Sequence, residues 1–303
     1  MTDFFEQLIC PKTHTKLVLS ADGKTLNNTS TDEPVSYDVN DIVDLVYPRE
    51  LFEQDRKEQV AYNDAHARYD RGVSWVFESL HANETATRKQ MISLLKLKPG
   101  MKVLEVGAGT GKDSAFIIDK ITPGGHAVLS DLSPAMLSHA KEKFADKKDV
   151  KIDYFIGNGA YLPFEDNSFD ALFHFGGINT FSERAKAFEE FNRVVKVGGR
   201  VVVGDESVGA WLRDQKTYQI LMDANPMFAD LVPMEDLPKN IKDVKLQWIF
   251  GNGYYVLDFR KTKKAPVVNV NLPIPNKTFV DNWKLRAIKN NPQPLKGSKR
   301  ELK

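Results

Sequence analysis

The chain has 303 residues, 42% hydrophobic and 27% charged, with 42 Lys and Arg against 41 Asp and Glu and a net charge of +1. Such a chain can bury a core without metal or disulfide support, and its charge balance argues against a protein built mainly to coat nucleic acid. No apolar run approaches the ~18 residues needed to span a bilayer, MTDFFEQLIC lacks the pattern of a secretory signal, and the lone Cys10 excludes an intrachain disulfide, so the cytoplasm is the expected compartment.

Residues 1–50 predict a small β-rich module: KLVLSADGKTLNN carries a turn signal, ADGK, between two short strand-like runs, and VSYDVNDIVDLV follows. Residues 51–98 predict a helical linker. Its larger apolar residues recur about one turn apart, and ETATRKQMISLLKL reads as a second helix with Asn83 as N-cap. Tyr62, His66 and Tyr69, spaced by four and three, share one helix face.

From residue 99 strands and helices alternate. MKVLEV, HAVLSDL, KIDYFIG, SFDALFHFG and RVVVGDE read as strands. DSAFIIDKI, SPAMLSHAKEKFA and SERAKAFEEFNRVVK read as helices, the second with Ser133 as N-cap and Pro134 at its first position, the third closed by Gly198–Gly199. KLQWIF and YYVLDF add two strands joined by a hairpin at GNG. This order predicts an α/β fold: a Rossmann-like, seven-stranded, mostly parallel sheet with helices on both faces, over residues 99–262, with an insertion at 207–243. Residues 263–303 carry ten Lys and Arg against two Asp and Glu, and five of the fifteen prolines, and predict an irregular basic arm.

The first strand of the alternation ends in VLEVGAGTGKDS. Glycines between strand and helix let a ligand approach the backbone, and the following helix N-terminus suits an anionic group. A nucleoside-triphosphate loop requires G-x-x-x-x-G-K-[ST], but Val106 and Asp113 stand at its first and last positions. A dinucleotide loop requires G-x-G-x-x-G, but Lys112 stands at its last position. What remains is Glu-x-Gly-x-Gly-x-Gly from Glu105 to Gly111.

That run resembles the first motif of class I S-adenosylmethionine-dependent methyltransferases. Asp131, at the end of LSDL and 20 residues after Gly111, matches the acidic residue that binds the ribose hydroxyls. GNGAYLPFEDNSFDALF and RVVKVGGRVVVGDE resemble the family's later motifs. The resemblance covers about residues 100–260 and is greatest to the branch that includes ubiquinone and menaquinone biosynthesis methyltransferases. It implies S-adenosyl-L-methionine as cofactor. Glu105, Gly107, Ala108, Gly109 and Gly111 would position its methionine and ribose portions, Asp131 its ribose, Leu132 and Met136 its adenine face, and Asn158 and Gly159 the adenine edge. Many relatives have Asp where Asn158 stands, and the Asn carbonyl would accept from the adenine amino group. The 51–98 segment would then cover the cofactor. LICPKTHTKL with its strand pair resembles a zinc-ribbon module that precedes some methyltransferase domains. A structural zinc site takes four Cys or His ligands, whereas Thr13 replaces the second cysteine and no later pair exists, so no metal is expected.

Methyl transfer from a sulfonium is an in-line displacement, served mainly by alignment and a dry pocket. His174, in FHFGGIN, is the candidate base, because imidazole titrates near neutral pH. Tyr62, Tyr69, Asn179, Asp205 and Trp211 are the candidate acceptor-binding residues. Asp205 and Glu206 close the fifth strand and would receive a cationic or hydroxylated acceptor. WLRDQKTYQILMDANPMF, in the insertion, would form an apolar lid, so the expected partner is a small, partly apolar methyl acceptor. The competing readings are an RNA methyltransferase using the N-terminal module and basic tail, and a non-catalytic cofactor-binding scaffold. The C-terminal arm is the candidate contact for a homo-oligomer.

Overall fold

A computed structural model describes residues 2–267. The chain opens with helix α1 (Thr2–Phe5) and the antiparallel strands β1 (Leu17–Leu19), β2 (Thr25–Asn28) and β3 (Ser36–Asp38), which form a three-stranded sheet in that order. Strand β4 (Val43–Asp44) leaves that sheet and pairs in parallel elsewhere. Helices α2 (Glu53–Ser79) and α3 (Glu84–Leu94) follow, and the Asn83 side chain caps α3 by accepting from the Ala86 N–H. The alternating region comprises β5 (Lys102–Val106), α4 (Ser114–Ile121), β6 (His126–Asp131), α5 (Pro134–Lys143), β7 (Lys151–Ile156), β8 (Phe169–Phe175), α6 (Arg184–Val194) and β9 (Val195–Glu206). Helix α7 (Lys216–Ala224) lies in the insertion, and β10 (Ile241–Ile249) and β11 (Tyr254–Lys261) close the described chain.

The large sheet runs β10-β11-β9-β8-β5-β6-β7-β4. Six neighbours from β9 to β4 are parallel, and β11 and β10 return antiparallel. The expected mostly parallel α/β fold is what the chain adopts. It has eight strands rather than seven, because Val43 and Asp44 from the N-terminal segment extend the edge beside Phe155 and Ile156. A two-residue strand carries too little periodicity to be read from sequence.

Each central strand sends alternate residues to opposite faces. On one face Leu104, Leu172, Val201 and Val203 pack with Phe188 and Phe191 of α6 and with Phe4, Leu8, Leu26, Tyr37 and Leu45 of the N-terminal segment. On the other, Val103, Ala171, Phe173 and Val202 pack with Ile117 and Ile118 of α4, Leu137 of α5, Ile92 of α3 and Phe77 of α2. The N-terminal segment therefore does part of a helix layer's work.

Helix α6 ends at Val194, and the chain passes directly into β9, so Gly198 and Gly199 lie within that strand rather than in a helix-closing turn. Gly199 is close-packed there: a Cβ on it would sit 2.6 Å from the Asp170 carbonyl oxygen, where β8 and β9 shift register. Cys10 is buried, with its Sγ 3.4 Å from the Tyr37 hydroxyl. Among the described residues no group of three or more His, Cys, Asp or Glu is placed to hold a metal, and no helix is long and apolar enough to cross a membrane. From residue 268 onward the expected basic arm lies outside the described residues.

Candidate active site

The C-terminal ends of β5, β6, β7 and β8 meet at one edge of the sheet, where open α/β folds leave a crevice. The loop after β5 turns there with Gly107, Gly109 and Gly111 at φ of +69°, +54° and +76°. A Cβ on Gly107 would add strain in that left-handed region and stand 3.2 Å from the His174 ring. The loop is tied down by backbone bonds: Ala108 N–H donates to the Ser130 carbonyl (2.9 Å), and Gly111 N–H to the Ala108 carbonyl (2.9 Å).

Asp131, at the tip of β6, completes this anchoring. Its Oδ2 accepts from Gly109 N–H and its Oδ1 from Ser133 N–H, both at 2.8 Å. Burial lifts its carboxyl above the ordinary aspartate range, opposed by backbone N–H groups of Ser133, Gly109 and Leu132. A carboxylate offers about four acceptor sites. The Gly109 and Ser133 bonds occupy two of these, and acceptor capacity remains on the crevice side.

Helix α2 roofs the crevice. Gln59 Nε2 donates to the Leu132 carbonyl (2.9 Å), and Ser133 Oγ donates to Asn63 Oδ1 (2.6 Å). Thr110 Oγ1 donates to Asp70 Oδ1 (2.6 Å), and Ser182 N–H donates to Asp55 Oδ1 (2.9 Å). Lys112 Nζ reaches the Asp70 carbonyl, Ser74 and Glu84. The enclosed space is about 740 Å³, counting its open mouth. Its lining includes the carboxylates Asp55, Glu58 and Asp131 and, among the described residues, no Lys or Arg. A ligand carrying phosphates would meet repulsion there, whereas a cationic one is favoured.

His174 lines this crevice from β8. Its Nδ1 lies 2.7 Å from the Val106 carbonyl, which makes Nδ1 the protonated nitrogen and leaves Nε2 a buried lone pair without a partner. Burial holds the imidazole pKa below 6.5, against the opposing effects of the Val106 carbonyl and Asp205. Asn158 also lines the crevice. Its Oδ1 accepts from Ala160 N–H (3.0 Å), and its buried Nδ2 has no partner. The free group is therefore a donor, not the carbonyl acceptor expected from sequence.

A second space of about 1270 Å³, counting the open solvent at its mouth, adjoins the first and shares Tyr62, Tyr69 and Gly176 with it. Its walls are largely aromatic, with Trp75, Phe77, Phe175, Phe250 and Tyr254. Glu206, at the tip of β9, also lines it. The Tyr254 hydroxyl donates to Glu206 Oε1 (3.2 Å), while Oε2 is buried without a partner. Burial and then the neighbouring Asp205 push the Glu206 carboxyl well above the usual glutamate range.

The expected residues fall into two groups. Gly107, Gly109, Asp131, Leu132, Met136, Asn158, Gly159 and His174 line the first crevice, and Tyr62 and Tyr69 line both spaces. The structure places the others elsewhere. Glu105 is buried behind the glycine loop and accepts from Ser114 Oγ (2.5 Å), so a carboxylate of the protein already sits at the start of α4, where a ligand anion was expected. Ala108 and Gly111 also lie outside the lining, and a Cβ on Gly111 would strike Phe144 at 2.7 Å. Asp205 is fully buried, and its Oδ2 accepts from Gly177 and Asn179 N–H (3.1 and 2.7 Å). The Asn179 side chain bridges the Glu206 carbonyl and the Tyr255 hydroxyl (2.7 and 3.2 Å). Trp211 is exposed and packs edge-on against Trp248. Asp55, Glu58, Gln59, Phe250 and Tyr254 were not singled out from sequence. Only tertiary packing brings them to these cavities.

The model of the ubiE/COQ5 methyltransferase family matches residues 52–240. The chain is 30% identical over 151 residues to the ubiquinone/menaquinone biosynthesis C-methyltransferase UbiE of Stenotrophomonas maltophilia, covering 48% of this chain and 60% of that protein. It is 32% identical over 152 residues to UbiE of Francisella philomiragia, covering 50% and 60%. It thus spans about 60% of the length of these curated relatives. Among solved structures, the Haemonchus contortus phosphoethanolamine N-methyltransferase 2 in complex with S-adenosyl-L-methionine superposes with a TM-score of 0.52 at 17% identity, over 72% of this chain and 62% of that one. That likeness is one of fold.

Proposed function

Because this chain belongs to the ubiE/COQ5 methyltransferase family, we propose that it transfers a methyl group from S-adenosyl-L-methionine to a small, partly apolar acceptor. The observation that carries this reading is the pair of adjoining spaces with a common wall of Tyr62, Tyr69 and Gly176. One is acidic and built on a glycine loop, and the other is aromatic. An in-line displacement needs donor and acceptor chambers in contact, since most of the rate comes from alignment.

The cofactor, when bound, would supply an electrophilic methyl on a sulfonium whose charge is lost as the carbon moves. The residues present suit it. Asp131 would hold two ribose hydroxyls on its remaining acceptor sites. Asn158 Nδ2, buried and unpartnered, would donate to a ring nitrogen of the base. Leu132 and Met136 would pack against the base. The acidic lining favours a cation over a phosphate-bearing cofactor. Tyr62 and Tyr69 would exclude water at the junction, and His174 Nε2 would stay an unprotonated acceptor at neutral pH. On the acceptor side, the apolar walls and the names of the relatives support a quinone precursor methylated on carbon.

The test is incubation with methyl-labelled S-adenosyl-L-methionine and an organic extract of cellular metabolites, followed by identification of the labelled product. Label in an apolar ring compound is expected. Label recovered only in RNA, or none despite measured cofactor binding, would overturn the small-molecule reading.

A further inference from the structure

Asn158 follows β7 in a tight turn. The Tyr161 N–H donates to the Asn158 carbonyl (2.9 Å), as in a β-turn, and the Ala160 N–H holds Asn158 Oδ1 (3.0 Å). The second bond leaves Nδ2 as a buried, unpartnered donor at the crevice. The aim of that donor is therefore set by the turn, and the turn is set by whatever holds Tyr161, its last residue. We propose that the N-terminal segment is a positioning element for the cofactor's base, and that Tyr47 aims Asn158 by holding Tyr161. The inference rests on the reading of the first crevice as the cofactor's site.

The N-terminal segment grips this turn before, within and after it. Before it, the Leu45 N–H donates to the Ile156 carbonyl (2.8 Å), continuing the β4–β7 pairing. After it, the Ile9 N–H donates to the Pro163 carbonyl (3.0 Å), and Leu8 bridges Phe164. Between these, Tyr47 meets Tyr161 edge-on, with ring centroids 4.9 Å apart. Helix α6 supplies the other support. Lys186 Nζ lies 3.3 Å from the Tyr161 ring centroid, and Glu190 and Arg193 bond the Leu162 N–H and carbonyl (2.8 and 3.0 Å). The Tyr161 ring thus has one neighbour from each layer. A segment that merely covered the sheet would need only apolar contacts with the strands. This one also brackets a single turn with backbone bonds, and that turn carries an uncommitted donor. Without the Tyr47 ring, Tyr161 is free to tilt and Asn158 turns with it. The ribose hold does not follow, because the Asp131 carboxylate is bonded by the Gly109 and Ser133 N–H groups. The bond from the Gly157 N–H to the Asp131 carbonyl (3.1 Å) lies ahead of Asn158 and anchors the start of the turn to β6.

Calorimetric titration of the full chain with S-adenosylhomocysteine, run as a double-mutant cycle, tests this. Asn158→Ala is expected to weaken binding about fivefold in the wild type, within the range set by one hydrogen bond. In the Tyr47→Ala background the same substitution should cost less than about twofold, because the donor has already lost its aim. Asp131→Ala should cost the same factor in both backgrounds. Tyr47→Phe, which keeps the ring, should bind as the wild type does. A purely structural role of Tyr47 would lower stability and leave its effect and that of Asn158 additive. An Asn158→Ala loss that is equal with and without the Tyr47 ring, equal coupling of Tyr47 to Asp131 and to Asn158, or unaltered affinity in Tyr47→Ala would each overturn the proposal. If Tyr47→Ala does not fold, Tyr47→Leu, which keeps apolar bulk without a ring, takes its place with the same expectations. Wild-type protein that binds no S-adenosylhomocysteine would sink the cofactor reading and this inference with it. Binding with an additive cycle would sink this inference alone.

Discussion

Asp131 does two jobs with one carboxylate. It holds the glycine loop through Gly109 and faces the crevice with its remaining acceptor sites. Asp131→Ala is expected to lower affinity for S-adenosylhomocysteine about tenfold or more, ~1.4 kcal/mol, in a calorimetric titration. Unchanged affinity would mean that the ribose is held elsewhere. His174 supplies a pH test. Its folded pKa lies below 6.5, so between those two values the unfolded chain binds the proton more readily. The stabilisation is thus fully present above about pH 6.5 and is lost as the pH falls through the folded value. Buried carboxyls with raised values, such as Glu105 and Glu206, act in the opposite direction, so the histidine must be isolated by difference. Urea unfolding at neutral and mildly acidic pH should show a smaller loss in His174→Gln than in the wild type. Asp131 was legible in the sequence through the family resemblance, and the structure places it at the crevice. The free donor of Asn158 was not, because an Asx-type bond to Ala160 decides which end of the amide faces the crevice.

Parity along a strand decides which of two adjacent acids faces a cavity. Asp205 lies opposite Tyr255, in the core face shared with α6, while Glu206 lies opposite Tyr254, in the face shared with α2. The sequence marks both acids at a strand end, but choosing between them requires the register with β11, and that pairing is not local. Helix α2 shows the same limit. Its spacing predicts Tyr62 and Tyr69 on one face, whereas the polar contacts that seat it on the glycine loop join residues about 40 positions apart. Asp70→Ala should loosen this roof. Losing one such hydrogen bond costs ~0.5–1.5 kcal/mol, so α2 amides should exchange roughly 2- to 12-fold faster in deuterium, with α4 unchanged. Unaltered exchange in α2 would show that the Thr110–Asp70 bond does not hold the helix down.

The alternating strands and helices made the sheet legible across most of its width, because each unit is local and the crossover rule leaves few arrangements. The N-terminal segment was legible only as strands. That it covers one face of the large sheet depends on contacts such as those of Leu8, Tyr37 and Leu45 with residues far along the chain. Leu45→Ala should therefore destabilise the entire fold, by ~2–5 kcal/mol in urea unfolding, as expected for a fully buried leucine. A loss below 1 kcal/mol, or a separate early transition, would show that the segment folds independently. The two tyrosines that serve both chambers have a further consequence. A ligand that moved either ring in one chamber would reshape the wall of the other and so couple the affinities of the two occupants. Thermodynamic reciprocity then requires the same factor in both directions.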